Sequence, residues 1–294
     1  MKLSVVVPCY NEVANVSEFE SELSKTLLKE KITYEIIFID DGSTDDTYSK
    51  LSSLNKANKN VKVIRFSRNF GKESAMLAGL KNASGSYVAI MDADLQHTPE
   101  MLILMYKKLI NDYSFDCCCA YKSNREDEGS LKRTLTSLFY KINNKISDVK
   151  LLPGASDFRV FKKSVCDAIT SLDEKTRFLK GMFSWVGFNT IYVPYIPEKR
   201  MYGTSKWSLF KLLKYSLGGI ISFSTKPIKS VFIIGVLALI VGLLNFILIG
   251  NLSNRTIILF ISLIMLSIGI ISLYVSRIYS NILNRPCYII KEKL

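Results

Sequence analysis

The chain has 294 residues, is 48% hydrophobic and carries a formal net charge of +13. This length allows one large domain or a domain with an appendage. A single histidine and the lack of a Cys-x-x-Cys pair exclude the usual zinc sites, and three consecutive cysteines at 117–119 indicate buried core residues in a reducing compartment rather than a disulfide framework.

The first 120 residues alternate between short apolar runs and longer amphipathic segments. The predicted strands are residues 3–7, 34–39, 61–66, 87–91 and 115–120. The predicted helices are residues 15–30, 45–57, 72–82 and 99–111, and apolar residues at helical spacing add an amphipathic helix over 131–146. Nearly continuous apolar strands joined by helices predict a parallel sheet that is buried on both faces.

The last third of the chain contains two long uncharged runs. Residues 231–250 and 256–276 carry no charge, and each is long enough to cross roughly 30 Å of hydrocarbon as a helix. Only five residues separate them, so they predict a hairpin with both outer ends on one side. A buried helical pair in a soluble core is the alternative, but uncharged runs of this length are the usual membrane signal. The preceding residues 206–223 have the apolar stripe and flanking lysines of an interfacial helix.

Most of the excess positive charge lies near these runs. Residues 1–194 carry 27 basic and 24 acidic side chains, whereas residues 225–294 carry 7 and 1. By the positive-inside rule, the body of the protein and both termini are expected on the cytoplasmic side of the plasma (inner) membrane. Nucleic-acid binding would also use basic charge, but it would not need that charge beside apolar spans. The pattern divides the chain into a catalytic domain (1–204), juxtamembrane amphipathic helices (205–229) and two spans with a short cytoplasmic tail (230–294).

Acidic residues follow the predicted strands. Asp92 and Asp94 come directly after the fourth strand, and a strand that ends in Asp-x-Asp delivers two carboxylates to the sheet edge where α/β proteins bind ligands. Magnesium is typically held by one or two carboxylates together with substrate phosphates. The pattern therefore favours a metal–diphosphate ligand, and sugar nucleotides are the natural candidates.

Neither glycine-rich nucleotide-binding signature is present, which disfavours dehydrogenases and P-loop enzymes. The carboxylate of Asp41 is able to accept the imide hydrogen of a uracil, and Tyr10 is able to cover the base. Taken alone, the Asp-Gly-Ser-Thr-Asp segment is equally typical of a turn and helix N-cap. Three such loops after successive strands favour a binding role.

A set of motifs carries a family resemblance. The motifs are Val-Val-Val-Pro-Cys-Tyr-Asn-Glu at 5–12, Asp-Asp-Gly-Ser-Thr-Asp at 40–45, Ser-Arg-Asn-Phe-Gly-Lys-Glu-Ser-Ala at 67–75, Met-Asp-Ala-Asp-Leu-Gln-His at 91–97, Gly-Ala-Ser-Asp-Phe-Arg at 154–159, Phe-Leu-Lys-Gly at 178–181 and Tyr-Gly-Thr-Ser-Lys-Trp at 202–207. Together with two spans, they resemble the inverting family 2 glycosyltransferases of the GT-A fold that act on polyprenyl phosphates. The resemblance covers nearly the whole chain. It implies an α/β, Rossmann-like, mostly parallel sheet with flanking helices, C-terminal interfacial helices and a transmembrane hairpin.

The resemblance also implies roles for individual residues. It places Asp92 near the ribose and diphosphate, and it counts Asp94 and Asp157 as catalytic. The nucleotide pocket would be lined by Pro8, Tyr10, Glu12, Asp41 and Asp92. The ligands of Mg²⁺ or Mn²⁺ would be Asp92, Asp94 and Gln96. One position departs from the family pattern, because relatives often have glycine where this chain has Ser156.

The expected acceptor is a lipid phosphate, which is largely ionised at neutral pH because its second pKa is about 6. Basic side chains must hold it near the donor's negative charge. The candidates are Arg125, Lys132, Arg133, Arg159, Arg200 and Lys206. On a strand, Arg159 points the same way as Asp157, so a structural ion pair is as good an interpretation as an acceptor contact. His97 is interpreted as a supporting or capping residue rather than a ligand. For Lys72, a solvated helix start and a donor-facing loop remain equal alternatives.

These inferences predict a membrane-anchored hexosyltransferase that moves a sugar from a UDP-sugar, with glucose or N-acetylglucosamine favoured, to undecaprenyl phosphate. A polysaccharide-extending enzyme of the same family is the first alternative, although the Gln-x-x-Arg-Trp motif of processive synthases is missing. A non-catalytic nucleotide-sugar-binding membrane protein is the second. No nucleic-acid partner is expected, and two spans leave room for a membrane-mediated dimer or tetramer.

Overall fold

A computed structural model describes residues 2–122, 130–196, 217–249 and 254–294. Within these ranges the strands are β1 (Lys2–Cys9), β2 (Thr33–Asp40), β3 (Val61–Phe66), β4 (Tyr87–Ile90), β5 (Cys117–Lys122), β6 (Ala155–Lys162), β7 (Thr190–Tyr195) and β8 (Ile290–Lys293). The helices are α1 (Val16–Lys29), α2 (Thr47–Ala57), α3 (Lys72–Asn82), α4 (Pro99–Asn111), α5 (Ser130–Ile146), α6 (Lys163–Thr170), α7 (Leu179–Trp185), α8 (Lys226–Ile249) and α9 (Asn254–Ile282). The predicted helices over 72–82 and 99–111 are confirmed at the same bounds.

The strands form one sheet in the order β7-β5-β6-β4-β1-β2-β3-β8. β1 pairs in parallel with β2 and β4, β2 with β3, and β5 with β7. The expectation of a mostly parallel sheet is therefore confirmed. One neighbour of β4 is an antiparallel exception: β6 lies between β4 and β5 and runs antiparallel to both. Sequence periodicity defines a strand but does not select its partner, so this insertion was not predicted.

Two hydrophobic clusters cover the two faces of the sheet. Alternate residues of β1 point to opposite clusters, with Leu3, Val5 and Val7 in one and Val6 in the other. Cys117, Cys118 and Cys119 are buried free thiols, which confirms their interpretation as core residues. Burial raises the pKa of the Cys117 thiol to about 12, so it remains protonated.

Two apolar helices follow the sheet. Lys226–Asn245 and Thr256–Ile282 are long and apolar enough to cross a membrane, and their most apolar windows are entirely unburied. A helical pair inside a soluble core would bury these side chains, so the structure contradicts that alternative. Residues 217–223 are helical, whereas residues 206–216 of the predicted interfacial helix lie outside the described ranges.

Candidate active site

The acidic residues come together at one edge of the sheet because of strand register. β4 and β6 run antiparallel, with Ile90 opposite Arg159. Continuing this register by two residues brings Asp92 opposite Asp157, although 65 positions separate them in the chain. The parallel strand β1 lies on the other side of β4, so the loops after β1 and β2 reach the same edge.

Lys72 joins the two carboxylates. Its Nζ lies 2.7 Å from Oδ1 and 2.8 Å from Oδ2 of Asp92, and 3.0 Å from Oδ2 of Asp157. Lys180 is a second cation, with its Nζ 4.0 Å from Oδ1 of Asp157. Burial by itself raises the pKa of Asp157, but the two ammonium groups outweigh it and hold that pKa well below its usual range. Lys72 is the first residue of α3, and its ammonium group lies in the acidic site rather than in open solvent.

A tight turn presents Asp94 and Gln96. Leu95 adopts a left-handed backbone conformation (φ 57°), and Oδ1 of Asp94 accepts a hydrogen bond of 3.2 Å from the Gln96 backbone N–H. The next helix, α4, begins immediately, with Thr98 as its N-cap. Asp94 and Gln96 remain partly exposed.

The donor atoms at this turn fit a hard divalent cation. Within the described ranges, no three His, Cys, Asp or Glu side chains cluster as a complete cage. Magnesium usually keeps several waters and takes only one or two carboxylates besides substrate phosphates. Such an incomplete set is provided by the carboxylates of Asp92 and Asp94 and the amide oxygen of Gln96. The chemistry of the predicted metal ligands therefore suits Mg²⁺.

His97 supports this turn from inside the protein. Its Nε2 lies 3.0 Å from the Tyr195 hydroxyl and 3.3 Å from Oγ of Ser156, and its ring packs on Phe158. Burial lowers the pKa of His97 to about 4, so the ring is neutral at pH 7. These contacts agree with the supporting role, while the capping role belongs to Thr98. Ser156, the position at which the sequence departs from the resembled pattern, supplies one of the contacts.

Asp41 is hydrogen-bonded to the loop that directly precedes Lys72. Its Oδ1 accepts the Phe70 N–H at 2.6 Å, and its Oδ2 accepts the Gly71 N–H at 2.9 Å. Burial raises the pKa of Asp41 to about 6 even though these two hydrogen bonds lower it. Gly42 adopts φ 64°, and a side chain there would overlap the backbone of Arg68.

The loops after β1 and β2 are hydrogen-bonded to each other. The Asn11 N–H donates to Oγ of Ser43 (2.9 Å), and the Glu12 N–H donates to Oγ1 of Thr47 (2.9 Å). The Glu12 carboxylate accepts Nδ2 of Asn15 at 2.6 Å. Pro8 is the second-last residue of β1, and Tyr10, which follows the strand, is partly buried. The residues predicted to line the nucleotide pocket thus share one edge of the sheet with the acidic site.

Comparison with known proteins decides the family. Residues 4–170 match the family described as Glycosyl transferase family 2. The chain belongs to this family. It is 36% identical to the SfII prophage-derived bactoprenol glucosyl transferase of Shigella flexneri, over 99% of this chain and 98% of that protein. It is also 36% identical to a prophage bactoprenol glucosyl transferase homolog of Escherichia coli, over 99% of each chain.

The solved structures agree on the fold. Glucosyl-3-phosphoglycerate synthase from Mycobacterium tuberculosis, crystallised with Mn²⁺, UDP-glucose and phosphoglyceric acid, superposes with a TM-score of 0.51. The two chains are 18% identical, and the match covers 75% of this chain and 77% of that one. The GT-A arrangement expected from the motifs is confirmed.

The basic residues predicted to bind the acceptor phosphate of this family 2 glycosyltransferase lie in different environments. Arg125, Arg200 and Lys206 lie outside the described residues, as does the side chain of Lys132, whereas Arg133 is exposed on α5. Arg159 is only 4% exposed. Its guanidinium lies 4.4 Å over the Phe183 ring, and its Nε donates to the Ser156 carbonyl. Arg159 is therefore held inside the domain, which does not favour an acceptor contact. Among the ion pairs of the described residues, none joins Arg159 to Asp157.

Sequence reasoning missed one cation of the site, Lys180, and left the role of the other, Lys72, open. Lys180 lies in the Phe-Leu-Lys-Gly motif, but no role was given to it. Its Nζ donates to the Ala155 carbonyl at 3.0 Å beside Asp157. For Lys72, the position directly after Gly71 at a helix start was the available signal, and it did not reveal which distant carboxylates the lysine meets.

Proposed function

We propose that this chain is a membrane-anchored inverting glycosyltransferase that moves glucose from UDP-glucose to undecaprenyl phosphate. One observation carries the proposal: an acidic site at a sheet edge and two apolar helices occur in one chain, and its full length matches proteins named bactoprenol glucosyl transferase. A lipid-phosphate acceptor explains the presence of both parts. The soluble domain binds the nucleotide sugar, and the helices bring it to the lipid.

The acidic turn is the proposed metal–diphosphate site. Asp92, Asp94 and Gln96 would hold Mg²⁺ or Mn²⁺, and a bound divalent cation neutralises charge on a departing diphosphate. A neighbour of the same fold binds Mn²⁺ and UDP-glucose. In this chain the ionised carboxylate of Asp41 would accept the imide hydrogen of the uracil, beside Pro8, Tyr10 and Glu12.

The transfer is a single displacement. An oxygen of the lipid phosphate forms a bond to the anomeric carbon while the bond from that carbon to the diphosphate breaks, so UDP leaves and the configuration inverts. The attacking oxygen is already ionised near neutral pH, and no proton has to be removed from it. A strong general base is therefore unnecessary.

Asp157 has the properties of a group that stabilises charge in the transition state rather than those of a general base. Lys72 and Lys180 keep its carboxylate ionised. A fixed negative charge near the anomeric carbon stabilises the positive charge that develops on the sugar as the leaving group departs. Lys72 would hold Asp157 and Asp92 at the spacing this requires, and the exposed Arg133 together with Arg125, Lys132, Arg200 and Lys206 would hold the acceptor phosphate.

The charge pattern supports a proposed topology. Residues 1–204 would form the cytoplasmic catalytic domain, residues 205–229 would lie in the headgroup layer, and residues 230–294 would hold two spans and the tail. Lysines and arginines flank the outer ends of the hairpin, whereas Arg255 is the only charged residue in the turn. Both termini would then face the cytoplasm of the cell.

Incubation of the purified protein with undecaprenyl phosphate, Mg²⁺ and a panel of nucleotide sugars tests the proposal. Mass spectrometry should detect a lipid-phosphate monosaccharide, formed from UDP-glucose in preference to the other donors. Asp94→Asn should abolish the product and weaken Mn²⁺ binding measured by electron paramagnetic resonance, while the exposed control Asp167→Asn should behave like the wild type. A growing polysaccharide would indicate the extending activity instead. Binding of nucleotide sugar without any product would indicate a non-catalytic protein.

A further inference from the structure

The segment after the second apolar helix returns to the catalytic sheet. β8 pairs antiparallel with the edge strand β3. The backbones of Val63 and Leu294 exchange hydrogen bonds of 3.1 and 2.9 Å, and the Ser67 N–H donates to the Ile289 carbonyl at 3.0 Å. This last bond lies beyond the end of β3, at the start of the loop that leads to Lys72.

Aromatic rings continue this contact into the loop. The Tyr288 ring stacks on Phe66, with centroids 4.9 Å apart and planes 8° from parallel. Phe66 also contacts Phe70, whose ring meets it edge-on with the centroids 5.8 Å apart. Tyr288, Phe66 and Phe70 form an aromatic column that leads from the C-terminal segment to the loop of residues 67–71.

The loop of residues 67–71 connects the column to the acidic site. The Phe70 N–H binds Asp41, and Lys72 lies two residues further on, against Asp92. On its other side the loop packs so closely on Gly42 that a Cβ there would not fit. The loop is therefore held between the turn after β2 and the aromatic column.

The C-terminal segment is itself fixed at its start. Nη2 of Arg277, in the last part of α9, lies 3.4 Å from Oε2 of Glu174 and donates to the Thr176 carbonyl at 2.9 Å. The Lys175 N–H donates to Oδ1 of Asn281 at 3.4 Å. The end of the second apolar helix is thus joined to the catalytic domain before the chain reaches β8.

We propose that Tyr288 is a positioning residue for the donor site, which acts through Phe66 and Phe70 to fix the loop of residues 67–71 that directly precedes Lys72. The segment that follows the second span thereby sets the affinity of the catalytic domain for its nucleotide sugar. The inference rests on the proposed function for the identity of the donor. The position of the loop is a property of the protein without a donor and is measurable separately.

The test compares full-length Tyr288→Ala and Tyr288→Phe with Ile290→Ala, an exposed control in the same segment. Tyr288→Ala should raise the dissociation constant for UDP-glucose, measured by calorimetry, by roughly tenfold, the upper range expected for loss of one aromatic pair. It should leave the KM for undecaprenyl phosphate unchanged. Tyr288→Phe keeps the stacked ring and should match the wild type, as should Ile290→Ala.

Amide hydrogen exchange, measured without UDP-glucose, tests the position of the loop independently of donor binding. The amides of Phe70 and Gly71 should exchange faster in Tyr288→Ala than in the wild type, while those of β1 should not change. If these amides remain equally protected, the inference is wrong. If they are exposed but UDP-glucose binds to neither protein, the loop mechanism holds and the proposed donor is wrong. Should Tyr288→Ala not fold, Tyr288→Leu keeps apolar bulk without stacking, and wild-type donor affinity in that variant would overturn the inference.

Discussion

Replacement of Lys72 by methionine tests the electrostatic organisation of the active site. The change keeps the length of the side chain but removes the ammonium that lies 2.8 Å from Asp92 and 3.0 Å from Asp157. The two carboxylates are then at most about 6 Å apart and repel each other by about 3 kcal/mol at an effective dielectric constant of about 20. Because 32% of the Lys72 side chain is exposed, solvent screening reduces the expected loss of stability to about 2 kcal/mol.

The same change should impair catalysis more than binding. Asp157 would lose the cation that holds it in place, and a misplaced charge beside the anomeric carbon stabilises the transition state less well. We expect kcat/KM for UDP-glucose to fall by about 100-fold, equivalent to about 2.7 kcal/mol of barrier. The assay is transfer to undecaprenyl phosphate, with urea unfolding of the detergent-solubilised protein as the measure of stability.

Two further variants make this reasoning refutable. Lys81→Met removes an exposed lysine from the same helix and should leave both measurements unchanged. The double variant Lys72→Met/Asp157→Asn removes the repulsion and should recover most of the lost stability while remaining inactive. A coupling energy between positions 72 and 157 below about 0.5 kcal/mol would show that the ion pair does not organise the site.

Three other outcomes are expected. The affinity for UDP-glucose should fall as pH drops below about 6, because burial raises the pKa of Asp41 to about 6 and the ionised carboxylate is the stronger acceptor of the uracil hydrogen. Calorimetry should show no such dependence in Asp41→Asn. Burial lowers the pKa of His97 to about 4, so the folded protein holds this ring neutral while the unfolded chain protonates it below about pH 6.5. The free energy of unfolding should therefore fall by about 3 kcal/mol as pH drops from 6.5 toward 4. Urea unfolding of His97→Gln should lack this decline, and an equal decline would contradict a buried neutral His97. Gly42→Ala should destabilise the protein by about 2 kcal/mol or more, because its φ is 64° and the added carbon meets Arg68; the control Gly71→Ala has positive φ but open space and should lose less.

The site was partly predictable because its residues stand at strand ends. Asp92 and Asp94 follow a continuous apolar run, and parallel strands deliver their carboxyl ends to one edge. The position of Asp41 after β2 follows from the same local rule. The long uncharged runs likewise identify the two apolar helices, since their length and composition need no tertiary information.

The sequence by itself thus determined strands β1–β5, helices α1–α5, the apolar hairpin and the acidic character of one sheet edge, because each depends on neighbours along the chain. The elements β6–β8, α6 and α7 were not predicted. Only the tertiary structure decided that Lys72 meets Asp157, that Arg159 is buried against Phe183, and that β8 returns to pair with β3. The physical reason is that hydrophobic periodicity fixes which face of an element is buried, but it leaves open which of several compatible partners covers that face. The insertion of β6 beside β4 and the return of the C-terminal segment are choices of this kind. They place together side chains that lie 65 and more residues apart in the chain.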